Sequence, residues 1–362
     1  MLKSLRNVLL FVGSVLATIA ITNLIIAPIS MSHQEFENSM AAYLVNGDTI
    51  YYKTNYNEQL VQALYIQNLD KAEISVVLGS SRSMLLSKEI TSYESQYNNS
   101  VSGASFYDIV AILGMYYKRG ILPRRVVIEI SPWNFNDQYP DNRLLAIYEN
   151  DYNEFYSKLD HSTDFENKIS ILSNALSFVL FQDSLETICK DLLNIFYVSK
   201  KLYTTKPDDT YYTKYPDGSI EYGSATTEMP YNEILDKIHQ ASDGNERMLS
   251  SRMQGFSEIG EKNVKQLNAL LSWIRENEID VTIYLSPFAP AIYEYCMSTD
   301  YSIVADVEEF LVSMSNKYGA ELRGSYNPVN IGLADTDFYD CIHPRKEATK
   351  SIWDYTRHNE EF

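Results

Sequence analysis

The chain has 362 residues, 45% of them apolar, and a formal net charge of −18. It is too long for a small disulfide scaffold and too apolar and aromatic for a disordered chain, so it holds one large domain or two modest ones. Thirty Lys and Arg against 48 Asp and Glu exclude a nucleic-acid partner, because phosphate binding needs cationic surface.

The charge is unevenly placed. Residues 1–30 carry Lys3 and Arg6 and no acid, which leaves a net of −20 on the rest of the chain. Val8 to Ile29 runs 22 residues without a charge. At 1.5 Å per residue that is about 33 Å of helix, enough to cross a hydrocarbon core of roughly 30 Å. A secretory signal would be shorter, with about 7–15 apolar residues before an A-x-A-like site. Residues 1–30 are therefore expected to form a cytoplasmic start and an uncleaved transmembrane anchor, with a cleaved signal or a buried core helix as the alternatives. Basic residues ahead of the span place the N-terminus in the cytoplasm and the body outside the membrane. The lipid bilayer, met through residues 8–29, is the first expected partner.

Residues 31–70 are polar and Tyr-rich and read as a stalk or lead-in. From there to residue 362 the pattern is that of an α/β domain. ISVVL, ending at Gly79, and RVVIEIS, stopped by Pro132, read as buried parallel strands. Phe106, Ile109, Val110, Leu113, Tyr116 and Tyr117 keep helical spacing between them. Near the far end, Leu267, Leu270, Leu271 and Ile274 line a helix, and Ile279, Val281, Ile283 and Leu285 alternate as a strand. Helices follow at about 303–317 and from Pro344 through Trp353. Strands alternating with helices predict a central parallel sheet covered on both faces, a three-layer arrangement. Residues 140–255 break the rhythm. They hold a helical run from Leu185 to Phe196 and a hairpin-like YYTKYPDGSIEYG with Pro216-Asp217-Gly218 at its turn, and they read as a mostly helical insertion.

Cys189, Cys296 and Cys341 show no metal-ligand spacing and no disulfide framework, and read as three mostly buried thiols. No metal or cofactor is called for. The sequence contains 29 tyrosines; Tyr51-Tyr52, Tyr211-Tyr212 and Tyr293/Tyr295 could stack on sugar rings or simply fill core and surface.

Two short segments carry chemistry. Gly79-Ser80-Ser81-Arg82-Ser83 directly follows the first strand. A serine there, on a tight turn into a helix, exposes its hydroxyl at the ligand-binding edge of a parallel sheet, with backbone N–H groups near a developing oxyanion; the plainer reading is a helix N-cap. Asp340-Cys341-Ile342-His343-Pro344 lies before the last helix. A carboxylate three residues ahead of a histidine can fix the imidazole tautomer; the plainer reading is a surface loop.

Together the two segments resemble the SGNH (GDSL-like) hydrolase superfamily, which pairs a GxS block after the first strand with D-x-x-H-P before the last helix. Asn98 to Ser105 is similar to the family's second block, with Ser100 where a glycine would stand. Ser131 to Asp137 falls where Gly-x-Asn would be, without the glycine. The closest likeness is to the membrane-anchored cell-envelope branch that includes the protein of lipoteichoic acid D-alanylation. The resemblance implies Ser81 as nucleophile, His343 as base and Asp340 as its orienting carboxylate. It implies an oxyanion hole drawn from Ser81, Ser100, Gly103 and Asn134. A hole short of one donor typically costs about 10²–10³ in rate, so the altered blocks imply a slow enzyme or one completed by a partner or substrate. Arg82 and Arg345, cations in an acidic protein beside these residues, read either as substrate-binding groups for a phosphate or carboxylate or as ion-paired residues.

The expected function is that of a membrane-anchored extracytoplasmic serine acyl-ester hydrolase or O-acyltransferase acting on an acylated cell-envelope glycopolymer. The alternative is a non-catalytic accessory protein on the same fold that binds an acyl donor, a glycopolymer or a membrane-bound acyltransferase. A peptidase is a weaker third reading, since nothing suggests an extended peptide groove.

Overall fold

A computed structural model describes residues 34–53, 56–71, 75–138, 148–159, 203–241 and 252–357, together with Ser14. The expected anchor at 8–29 (Ser14 apart), the helical run from Leu185 to Phe196 and Cys189 lie outside the described residues. Among the described residues no helix is long and apolar enough to cross a membrane.

In chain order the described elements begin with α1 (Gln34–Val45), β1 (Ile50–Tyr52), α2 (Glu58–Gln67), β2 (Ser75–Leu78), α3 (Lys88–Thr91), β3 (Gln96–Asn98), α4 (Phe106–Lys118) and β4 (Arg125–Glu129). Next come α5 (Glu149–Leu159), β5 (Tyr203–Thr204), β6 (Tyr212–Lys214), β7 (Ile220–Glu221) and α6 (Tyr231–Gln240). The chain continues with α7 (Glu261–Glu276), β8 (Asp280–Leu285), α8 (Pro290–Ser298), α9 (Ile303–Tyr318), β9 (Glu321–Gly324) and α10 (Lys346–Asp354).

The protein is α/β. Five parallel strands form one sheet in the order β3-β2-β4-β8-β9. Its central register pairs Ser75 with Arg125 and Leu78 with Ile128, then Arg125 with Asp280 and Glu129 with Tyr284. Side chains alternate across a strand, so each strand feeds two cores. Val76, Leu78, Val126, Ile128, Ile283 and Leu285 join the large cluster with Ile109 and Leu113 of α4, Leu267 and Leu271 of α7, and Leu311 of α9. Val77, Val127 and Tyr284 point the other way, to Leu86, Ile90, Ile352 and Trp353. Helices thus cover both faces, which is why these strands are apolar on both sides.

The lead-in differs from expectation. Residues 34–67 are not a stalk: Met40, Leu44, Ile50, Val61 and Ile66 are buried in the large cluster. Met40 with Leu44, and Val61 with Tyr65, lie four apart and give each polar-looking helix a narrow apolar stripe.

The lead-in also shares a sheet with the insertion. β1 pairs antiparallel with β5 and β6, and β6 with β7, giving the order β5-β1-β6-β7. β6 and β7 are the hairpin expected from YYTKYPDGSIEYG. Its Gly218 has φ +76°, and a Cβ there would meet the Asn98 carbonyl oxygen at 2.4 Å, so only glycine lets the turn dock. The docked turn is bonded to the parallel sheet. Asn98 N–H donates to the Asp217 carbonyl at 2.7 Å, Lys88 N–H donates to the Asp217 carboxylate at 2.8 Å, and Ile220 N–H donates to the Met84 carbonyl at 3.0 Å.

Candidate active site

The carboxyl ends of the parallel strands bring the two chemical segments together. After β2 the chain turns at Gly79–Ser83 instead of entering a helix; α3 starts only at Lys88, capped by Ser87. The expected helix N-terminus behind Ser81 is therefore absent, and the turn is held by Ser83 N–H on the Ser80 carbonyl at 3.0 Å. Gly79 is required by contact: a Cβ there would meet Glu129 Cβ at 2.5 Å and Ser83 Oγ at 2.6 Å.

Asp340 and His343 lie on a loop closed by a Phe338–Pro344 bridge and by Tyr339 N–H on the His343 carbonyl at 2.9 Å. Asp340 Oδ1 accepts the backbone N–H groups of Ile342 and His343 at 2.9 and 3.0 Å. Its Oδ2 accepts from His343 Nδ1 at 2.8 Å. His343 Nε2 lies 2.8 Å from Ser81 Oγ, across 262 residues of sequence. A carboxylate at Nδ1 fixes the proton there, so Nε2 accepts and the serine hydroxyl donates. Burial pushes the Asp340 carboxyl up, but the His343 charge and these hydrogen bonds outweigh it and hold it below its ordinary value. Serine, imidazole and carboxylate thus form one aligned relay. The orientation is the one in which a base can take the proton of a nucleophile.

Of the four expected oxyanion residues, Ser81 and Gly103 line one cleft. Ser100 and Asn134 do not. Ser100 N–H donates to Asn98 Oδ1 at 2.9 Å, and its hydroxyl meets Ser83 Oγ at 2.8 Å. The Asn134 amide donates to the Ala104 carbonyl at 3.3 Å and its Oδ1 accepts Ser131 N–H at 2.7 Å. Both side chains are engaged within the fold, Ser100 with the turn after β2 and Asn134 with the turns at Ser131 and Ala104.

Neither arginine presents a cation to the cleft. Arg82 is 2% exposed; it donates to the carbonyls of Ser286 and Pro287. Arg345 lies over the Tyr339 ring at 4.9 Å and donates to the Thr227 carbonyl at 3.4 Å. Their position beside Ser81 and His343 in sequence misleads, because the two side chains leave the backbone away from the relay.

The cleft has a volume of about 530 Å³. The lead-in supplies Tyr52, Tyr56 and Glu58 to its wall, and the insertion supplies Tyr212, Ile220 and Tyr222. Tyr52 stacks on Tyr212 at 5.7 Å, Tyr212 meets Tyr222 edge-on at 5.9 Å, and Tyr222 meets Tyr339 at 5.2 Å. This aromatic row ends on the His343 loop. Burial raises the Tyr222 hydroxyl above its ordinary value, with Asp340 adding to the effect. Glu58 is tied down as well, accepting from Ser102 Oγ at 3.0 Å. The Tyr51-Tyr52 and Tyr211-Tyr212 doublets signalled part of this row, whereas Tyr295 lies against Tyr301 at 6.0 Å. Glu58 carried no sequence signal; Glu129, beneath the turn, is an acid set within the apolar run RVVIEIS.

No protein-family model matches the chain, and no curated protein sequence matches it.

Proposed function

We propose that the protein is a serine acyl-ester hydrolase or O-acyltransferase of the SGNH type. The observation that carries this reading is the Ser81–His343–Asp340 relay, with 2.8 Å at each junction. A parallel sheet with helices on both faces and the relay at its strand ends is compatible with the three-layer sandwich of that superfamily.

In this scheme Ser81 Oγ attacks the carbonyl carbon of an acyl ester while His343 takes the hydroxyl proton. The ester C–O bond then breaks, and His343 returns the proton to the departing alkoxide oxygen. Water or a sugar hydroxyl, deprotonated by His343, attacks the Ser81 ester in the second half. Asp340 holds the tautomer and stabilises the imidazolium. In this reading Ser81, which lines the cleft together with Gly103, would offer its backbone N–H to the developing oxyanion. The tyrosine-walled cleft suits a glycopolymer acceptor, as Tyr faces stack on sugar rings. The anchor read in residues 8–29 would keep the body outside the membrane, next to acylated cell-envelope substrate. With Arg82 and Arg345 engaged elsewhere, neither of these two guanidinium groups would serve an anionic group on that substrate.

A second reading draws on the engaged Ser100 and Asn134: a non-catalytic accessory protein that uses the cleft to bind an acyl donor, a glycopolymer or a membrane-bound acyltransferase. One experiment separates the two. A fluorophosphonate probe should label the wild-type protein and leave Ser81→Ala unlabelled. A wild-type protein that stays unlabelled favours the accessory reading, and labelling that survives the substitution removes Ser81 as nucleophile.

A further inference from the structure

The two neighbours of Ser81 are both tied into a buried layer beneath the ends of the parallel strands. Ahead of the serine, Ser80 N–H donates to Glu129 Oε2 at 2.8 Å, and Glu129 is 1% exposed at the last position of β4. After it, the Arg82 guanidinium is anchored on the carbonyls of Ser286 and Pro287 at the end of β8, the latter at 2.8 Å. It lies over the faces of Phe288 and Trp133, 4.9 and 5.2 Å from the ring centres. Ser131 joins the two charges. Its hydroxyl donates to Glu129 Oε1 at 2.7 Å and accepts from Arg82 Nη1 at 3.4 Å. Neither charged side chain lines the cleft.

A carboxylate and a guanidinium are costly to bury unless each is paired and hydrogen-bonded. Here the two are bridged through Ser131 and hydrogen-bonded, and between them they hold both neighbours of one serine: Glu129 accepts the Ser80 N–H, and Arg82 ties its own residue to the carbonyls after β8. We infer that Glu129 and Arg82 are positioning residues for the nucleophile, the carboxylate fixing the Gly79–Ser80 peptide and the guanidinium the residue after Ser81. The inference rests on the reading of Ser81 as nucleophile. The Gly79 contact with Glu129 is part of the same device, since it lets the turn lie directly on the carboxylate stem. A turn released from Glu129 can rotate the Ser80–Ser81 peptide. That moves both the Oγ, now 2.8 Å from His343 Nε2, and the Ser81 N–H. A misplacement of about 1 Å costs on the order of 10² in rate.

The test uses the full chain in detergent, with saturable fluorophosphonate labelling that separates probe affinity from the rate of inactivation. Glu129→Gln, which keeps shape and loses charge, should slow inactivation by about ten- to a hundredfold while affinity stays within about twofold. Arg82→Met should do the same, and Arg82→Lys should recover part of the rate, since a single ammonium reaches fewer of the three acceptors. The Glu129→Gln/Arg82→Met double variant should be no slower than the worse single one, because neither buried charge is then left alone. The ¹⁵N shift of His343 Nε2 gives a readout free of any reaction. In Glu129→Gln it should move toward its value in Ser81→Ala. A residue that only stabilises the fold would lower the melting temperature and leave rate and shift alone. Variants that label like the wild type with an unmoved Nε2 signal overturn the positioning role while Ser81 stands. A wild-type protein that does not label, with an Nε2 signal that still moves in Glu129→Gln, removes the acyl-enzyme reading and leaves the turn held by Glu129.

Discussion

Replacing Asp340 by Asn tests the relay at its least exposed assumption, the imidazole tautomer. The structure dictates how an asparagine would sit. Asp340 Oδ1 accepts two backbone N–H groups, from Ile342 at 2.9 Å and His343 at 3.0 Å. An amide nitrogen there would face two donors, so the amide oxygen takes that position and the NH₂ replaces Oδ2. That NH₂ then points at His343 Nδ1 across what is now a 2.8 Å contact. The nearer NH₂ favours Nδ1 as acceptor, against the amide oxygen that replaces Oδ1 3.0 Å away; with the ring proton shifted to Nε2, Ser81 loses its base while the loop keeps its backbone hydrogen bonds. A reversed tautomer of this kind costs about 10⁴ in rate where a serine relay operates, on the order of 5 kcal/mol of transition-state stabilisation. The assay is the rate of fluorophosphonate labelling, compared with Ser81→Ala and accompanied by a melting curve. Asp340→Asn should be slower by about 10³–10⁴ with a melting temperature close to that of the wild type. A variant that labels within about tenfold of wild type, while Ser81→Ala stays unlabelled, would refute the relay as the source of reactivity.

Further outcomes follow from the same contacts. Gly79→Ala should lose about 1–3 kcal/mol in urea unfolding through overpacking, and should also slow labelling, because its Cβ lands 2.5 Å from Glu129 Cβ. A Gly79→Ala protein of wild-type stability would contradict the close approach. Lys214 is buried in the hairpin wall, and burial pulls its ammonium from an ordinary 10.5 to about 8 against the opposing charges of Glu58 and Asp217. The unfolded chain then binds the extra proton between about pH 8 and 10.5, so the penalty is fully present below that window and vanishes above it. The advantage of Lys214→Met over the wild type should therefore be about 3 kcal/mol larger at pH 7 than at pH 10.5, while losing the bond to Gly218 lowers it by the same amount of about 1 kcal/mol at both pH values. A difference in unfolding free energy that stays flat from pH 7 to 10.5 would sink this account. Tyr212→Ala removes the middle of the aromatic row and should weaken binding of an oligosaccharide acceptor while leaving fluorophosphonate labelling near the wild-type rate; equal loss of both would show that the row shapes the relay itself.

Much of the architecture was legible because it depends on local periodicity. ISVVL and RVVIEIS are short, largely apolar runs and IDVTIYL alternates, and they became β2, β4 and β8. The terminal helices appeared where the spacing put them. The lead-in failed for a matching reason. Its apolar stripes are narrow and its tyrosines are ambiguous, so α1 and α2 looked like a stalk until the core covered them. The two arginines failed differently. Adjacency in sequence says where a Cα lies and not which way a long side chain runs, and Arg82 runs under the sheet.

The chemistry divides along the same line. Residue types and order marked the segments Gly79–Ser83 and Asp340–Pro344, because a hydroxyl after a strand and a carboxylate three residues before an imidazole are local patterns, and the family resemblance picked Ser81, Asp340 and His343 within them. The pairing of Ser81 with His343 across 262 residues, the tyrosine row built from both the lead-in and the insertion, and the burial of Glu129 and Arg82 beneath Ser81 were decided by tertiary structure. A parallel sheet gathers its strand ends at one edge wherever those strands lie in the chain, and only that gathering turns scattered polar residues into a site.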